Sequence, residues 1–164
     1  MERRPVQELQ QTPLDKDRDT FESLGYLVYR TARLMAHELA ERIRPAGVAI
    51  GQWAVLLVLW ARDGMTQAEL SRVVAIEPST TVRTIDRMVR DGLVTRAPDP
   101  DDGRLSRICL TERARSLRDE LVPLAAAVNS EIVNGLAADE ARTLRRLLAT
   151  AGDPRRIGAF ERSS

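Results

Sequence analysis

Residues 50–61, IGQWAVLLVLWA, place the tightest constraint on what this chain can fold into. On a helix, Trp53, Ala54, Leu56, Leu57, Leu59 and Trp60 leave it apolar on most sides. Such a helix is stable only when neighbouring elements cover it, so it belongs in the middle of the fold. It carries Gln52 and falls short of the roughly 18 apolar residues a membrane span needs. The flanking segments must therefore supply its cover.

Upstream, the pattern from Thr20 to about Arg44 is helical. Phe21, Leu24, Leu27, Val28, Thr31, Leu34, Met35 and Leu39 recur at steps of three and four. Pro45 and Gly47 end that helix. Downstream, Asp63-Gly64 closes the central helix and Thr66 opens a short one. Thr66-x-x-Glu69 has capping-box spacing, and Leu70, Val73 and Val74 are its expected buried edge. Pro78 suits the first turn of the next helix, which should carry Val82, Ile85, Met88 and Val89 inward and stop at Asp91-Gly92.

The segment from Leu93 to Leu110 then changes character. Leu93-Val94-Thr95-Arg96 reads as a strand, Asp99-Pro100-Asp101-Asp102-Gly103 is turn chemistry, and Leu105 to Leu110 returns with Ile108 and Leu110 on one face. A tight helix pair followed by such a hairpin is a winged helix-turn-helix. The fold expected is therefore mainly α with a small β-wing. Thr111 caps a further long helix, Glu112 to about Asn134, which Pro123 should bend. A last helix begins near Ala138 with Ala141, Leu144, Leu147 and Leu148 as its stripe.

With the apolar stripe inward, the second helix of the pair exposes Ser79, Thr80, Thr81, Arg83, Thr84 and Arg87. Small hydroxyls at its start would let it enter the major groove of DNA, about 12 Å wide. Arg83 suits bidentate reading of guanine, and Arg87, one turn on, a backbone phosphate. In the wing, Arg104 suits a narrow minor groove, with Asp102 pairing with its guanidinium, and Arg107 adds a second cation. The net charge of the chain is only +1, and arginines and acidic residues are equal in number from Thr66 to Thr111. Bulk attraction to a polyanion is weak at that balance, so the acids are expected to orient arginines. Lys16 is the sole lysine, and arginine is the better bidentate donor.

The stretch DGLVTRAPDPDDGRLSRICLT resembles the MarR (multiple antibiotic resistance regulator) family of bacterial transcription factors. Asp102-Gly103-Arg104 followed by Leu110-Thr111 is the most specific motif, and IGQWAVLLVL and SLGYLVYRTARLM are similar to the family's second and first helices. The resemblance covers about residues 20 to 150. Ala114 departs from it, standing where many members have Gly, and so does the pair Leu105-Ser106, usually more basic. The resemblance implies a homodimer whose terminal helices form the interface and whose winged lobes occupy a palindrome in double-stranded DNA, most simply as a repressor. The division it implies is a disordered arm at 1–18, dimerisation helices at 19–48 and 112–152, a winged lobe at 49–111 and a flexible tail at 153–164.

The resemblance also implies an aromatic acid, phenol or related thioester as effector. Arg33 and His37 share a helix face, Arg33 suiting a carboxylate, and Tyr26, Arg30 and Trp53 would complete the pocket. Cys109, the single cysteine, excludes an internal disulfide, and beside Arg107 on one strand face it offers redox sensing as an alternative. With no glycine-rich phosphate loop, no paired-Cys motif and one His, neither an enzyme nor a cofactor or metal site is expected. The N-terminus lacks the apolar run of a secretory signal, which points to the cytoplasm and away from a membrane. The competing class is a winged helix used for protein contacts.

Overall fold

The computed structural model describes residues 21–153. The expected arm at 1–18 and all but the first residue of the expected tail at 153–164 lie outside them. Helix α1 spans Leu24–Ile43, with the Ser23 hydroxyl accepting from the Tyr26 amide at 3.3 Å. A single 3-10 turn, Arg44–Ala46, follows and ends at Gly47, whose φ of 74° is left-handed. Helix α2 is Ile50–Ala61, as its sequence dictates. Then come β1 (Met65–Thr66), α3 (Gln67–Val74), α4 (Pro78–Arg90), β2 (Val94–Pro98), β3 (Ser106–Leu110), α5 (Glu112–Ile132) and α6 (Ala138–Ala151).

The core forms around α2. Val55, Leu56 and Leu59 are fully buried with Ile43, Leu70, Ile85, Met88, Leu93, Ile108 and Leu121, contributed by the elements on every side. Trp53 and Trp60 meet edge to face at 5.7 Å, and Trp60 donates its indole N–H to the Ala114 carbonyl at 2.8 Å. Ala114 is itself fully buried, so its methyl packs without disturbing the helix start that Thr111 caps. Helix α5 packs along α1 and continues through Pro123.

The three strands are antiparallel in the order β1-β3-β2, with Met65 opposite Ile108 and Val94 opposite Leu110. Strand β1 has no sequence signal because two residues carry no periodicity. Strand β2 begins one residue and ends two residues later than expected, and β3 begins one residue later and ends as expected.

Two of the expected inward faces are rotated. On α3, Leu70 and Ser71 are buried while Val73 is 56% exposed. On α4, Thr81, Ile85 and Met88 point inward, and Val82 and Val89 stand on the shoulders of the helix, each over a third exposed. No single helix among the described residues is long and apolar enough to cross a membrane.

Candidate DNA-binding surface

Helices α3 and α4 meet at a tight turn built from local polar contacts. The Thr66 hydroxyl accepts from the Glu69 amide and Glu69 accepts from the Thr66 amide at 2.8 Å, closing the capping box. Ala75 takes a left-handed φ of 53° to end α3. Ser71 then donates to the Ile76 carbonyl at 2.6 Å, and Thr81 donates to the Glu77 carbonyl at 3.2 Å.

Thr81 therefore cannot be the exposed hydroxyl expected of it. It is 1% exposed, with Ile85 and Met88 following it at helical spacing on the buried face. Its neighbours Ser79 and Thr80 are exposed at the start of α4, Thr84 is half-buried, and Arg83 and Arg87 are exposed. Neither arginine has an ion pair or side-chain hydrogen bond among the described residues, so both guanidinium groups keep all their donors for an external acceptor.

The wing is braced by Asp99, which sequence reasoning had placed only in a turn. Its side chain is nearly buried. One carboxylate oxygen accepts the amides of Asp101 at 2.8 Å and Asp102 at 3.1 Å, and the other lies 2.7 Å from Arg107 Nε. That last contact is an ion pair rather than an aligned hydrogen bond. The Asp101 amide first, then the Asp102 amide and the Arg107 guanidinium, hold the Asp99 carboxyl below the usual carboxylate range against the burial that raises it.

Two wing assignments change as a result. Arg107 is engaged within the chain, with Nη1 donating to the Gly64 carbonyl at 2.9 Å, so it fastens the wing to the β1 end. Its strand-face neighbour Cys109 is half-buried opposite Thr95. Asp102 does not pair with the Arg104 guanidinium, because its Oδ1 accepts from the Arg104 backbone amide at 3.0 Å. The carboxylate shapes the tip and leaves the Arg104 side chain exposed and without a partner among the described residues. Arg96 on β2 meets Asp86 on α4 at 2.7 Å and joins the wing to the helix, a pair that nothing in the spacing announced.

Arrangement and sequence agree with known proteins. The family model described as "MarR family" matches residues 49–106, the stretch from the foot of α2 to the wing. Residues 49–106 are a MarR-family domain. Among curated relatives it is 26% identical over 129 residues to the HTH-type transcriptional repressor Rv2887 of Mycobacterium tuberculosis, covering 79% of this chain and 93% of that one. It superposes with a TM-score of 0.74 on a mutant MarR from E. coli complexed with operator DNA, at 25% identity, covering 87% of this chain and all of the other. CouR from Rhodococcus jostii RHA1, solved bound to p-coumaroyl-CoA, gives a TM-score of 0.71 at 25% identity, over 81% of this chain and 94% of that one. The chain is thus a transcription regulator carrying a DNA-binding winged helix of the MarR family.

The expected effector residues divide. Tyr26, Arg30, Arg33 and His37 line one groove of about 330 Å³ on α1, joined by Tyr29 and Leu34. The Arg33 guanidinium lies 5.9 Å from the centre of the Tyr29 ring. Trp53 is not among the groove's residues, because it is buried against Trp60 in the core. Tyr29 and Leu34 were absent from the expected set although they continue the same three-to-four spacing. No carboxylate lines the groove, so its cations face it unopposed by a lining acid.

Proposed function

We propose that two copies of this chain pair through residues 19–48 and 112–152 and repress transcription by occupying a palindromic operator with their lobes, residues 49–111. The observation that carries this reading is the exposed Arg104 side chain at the end of a wing whose other arginines, Arg96 and Arg107, are paired with Asp86 and Asp99. A braced hairpin presenting one uncommitted guanidinium suits insertion into a narrow minor groove, where negative potential is greatest. Ser79, Thr80, Thr84, Arg83 and Arg87 would then face the major groove, Arg83 toward a guanine edge and Arg87 toward phosphate.

Pairing is supported by apolar surface that the single chain leaves uncovered. Leu24 is 76% exposed, Leu27, Val28 and Leu34 about half as much or more, and on α6 Leu144, Leu147 and Leu148 are likewise open. A stripe of that kind on both terminal segments suits a helical interface between two copies.

An anionic aromatic effector would bind in the α1 groove, its acid on Arg30 or Arg33 and its ring against Tyr26 and Tyr29. Only one helix lines the groove, so a partner subunit or a moved lobe would have to complete it. The deciding experiment is a gel shift on DNA selected by the protein from a random pool, with the solution mass measured in parallel. The reading expects a dimeric mass, a palindromic consensus and a steep salt dependence. A monomeric mass, or no sequence-specific shift, overturns it and favours a module for protein contacts. Aromatic acids and their coenzyme A thioesters are then screened for raised melting temperature together with release of DNA.

A further inference from the structure

Gln52, Asp91 and Arg113 come from three elements and meet at the C-terminal end of α4. Gln52 is 3% exposed. Its Oε1 accepts the Ala49 amide at 2.9 Å, and its Nε2 donates to Asp91 Oδ2 at 2.6 Å. Asp91 is the residue that caps α4. Arg113, in the first turn of α5, donates from Nη1 to the Asp91 carbonyl and from Nη2 to the Ala46 carbonyl at 3.1 Å. Ala46 closes the 3-10 turn at the end of α1. The next residue, Gly47, is left-handed, and a Cβ there would stand 3.0 Å from Arg113 Nη2. The left-handed backbone favours glycine at that place, and the missing Cβ leaves the guanidinium room.

A planar guanidinium has N–H directions fixed relative to one another, so one side chain holds the ends of α1 and α4 at a set separation. Each hydrogen bond is modest in stability, but its geometric effect is levered. Helix α4 has 13 residues and is about 20 Å long at 1.5 Å per residue. A tilt of about 10° at its clasped end moves its DNA-facing start by about 3 Å, close to the rise of one base pair.

We propose that the Gln52–Asp91–Arg113 clasp is a positioning assembly that sets the angle of the recognition helix against α1 and α5, and so fixes the half-site spacing the dimer accepts. The inference rests on the paired-lobe reading above. Its test compares wild type, Arg113→Met, Arg113→Lys and Gln52→Leu on the selected palindrome and on versions lengthened or shortened between half-sites by about one and two base pairs.

Wild type should lose about tenfold or more in affinity on the altered spacings. In all three variants that penalty should shrink to about threefold or less, with dimer mass unchanged. Arg113→Lys should resemble Arg113→Met, because an ammonium keeps the charge but cannot span two carbonyls in a fixed plane. Variants that weaken binding by one factor on every spacing, or leave the penalty intact, overturn the clasp while leaving the dimer standing. A wild type indifferent to spacing instead overturns the paired reading and the clasp with it.

Discussion

Asp99 and Arg107 meet at 2.7 Å beneath the wing tip, the carboxylate also holding two turn amides and the guanidinium also holding the Gly64 carbonyl. The pair converts a loop rich in acids into a fixed hairpin, which is what leaves Arg104 displayed at a defined place.

Loosening that pair should weaken operator binding without removing a DNA contact. Arg107→Ala and Asp99→Asn are expected to lower affinity roughly tenfold, the scale of one charge-assisted pair. The slope of log affinity against log salt should stay as in wild type. A slope reduced by about 0.9 in Arg107→Ala would instead make Arg107 a phosphate contact.

Arg104→Ala should behave in the opposite way. Its guanidinium has no partner to lose, so melting temperature should hold within the range of an ordinary surface change, about 0.5 kcal/mol. Affinity and salt slope should both fall, the slope by about 1. Unchanged values of both would end the minor-groove role.

Arg83→Ala and Thr81→Ala separate reading from scaffolding on the same helix. Arg83→Ala should relax preference at one operator position by about 1–3 kcal/mol. Thr81→Ala should leave base preference alone and lower unfolding stability by about 1 kcal/mol, because its buried hydroxyl holds the Glu77 carbonyl. A base-preference change in Thr81→Ala would restore it to the contact surface.

Stability should fall in acid. Asp99 is held low first by the Asp101 amide, Glu69 first by the Thr66 amide, and Glu131 first by the Arg42 guanidinium. A carboxyl depressed in the folded chain contributes stability that is present above its unfolded pKa of about 4 and is lost as pH falls through the lower folded value. Denaturant melts should be flat from neutral pH to about pH 5 and decline below about pH 4. The decline should be shallower in Asp99→Asn, and equal declines would remove Asp99 from the account.

Much of this architecture was legible from residues. The apolar run at 50–61 set the bounds of α2, Thr66 and Glu69 announced their own cap, and Pro78 marked the start of α4. The site was less legible, because a side chain's direction depends on partners far away in sequence. Val82 and Thr81 are adjacent, and hydrophobicity alone puts the valine inside. The threonine wins because carbonyls at Ile76 and Glu77 lie within its reach. Arg104 and Arg107 are likewise equivalent as letters. Only a buried Asp99 and a carbonyl at Gly64, brought near by the sheet, turn the second inward. Arg113 gave no signal, since its acceptors are backbone oxygens that any residue could supply.

Arg62, Arg96, Arg107 and Arg115 each sit against a carboxylate of their own chain, Glu69, Asp86, Asp99 and Asp63 in turn. Cations occupied in this way displace few ions from random duplex, and so earn little grip on it. On the operator-binding reading proposed above, a regulator so constituted would be held less by the bulk of the chromosome, and fewer copies would keep a rare target filled.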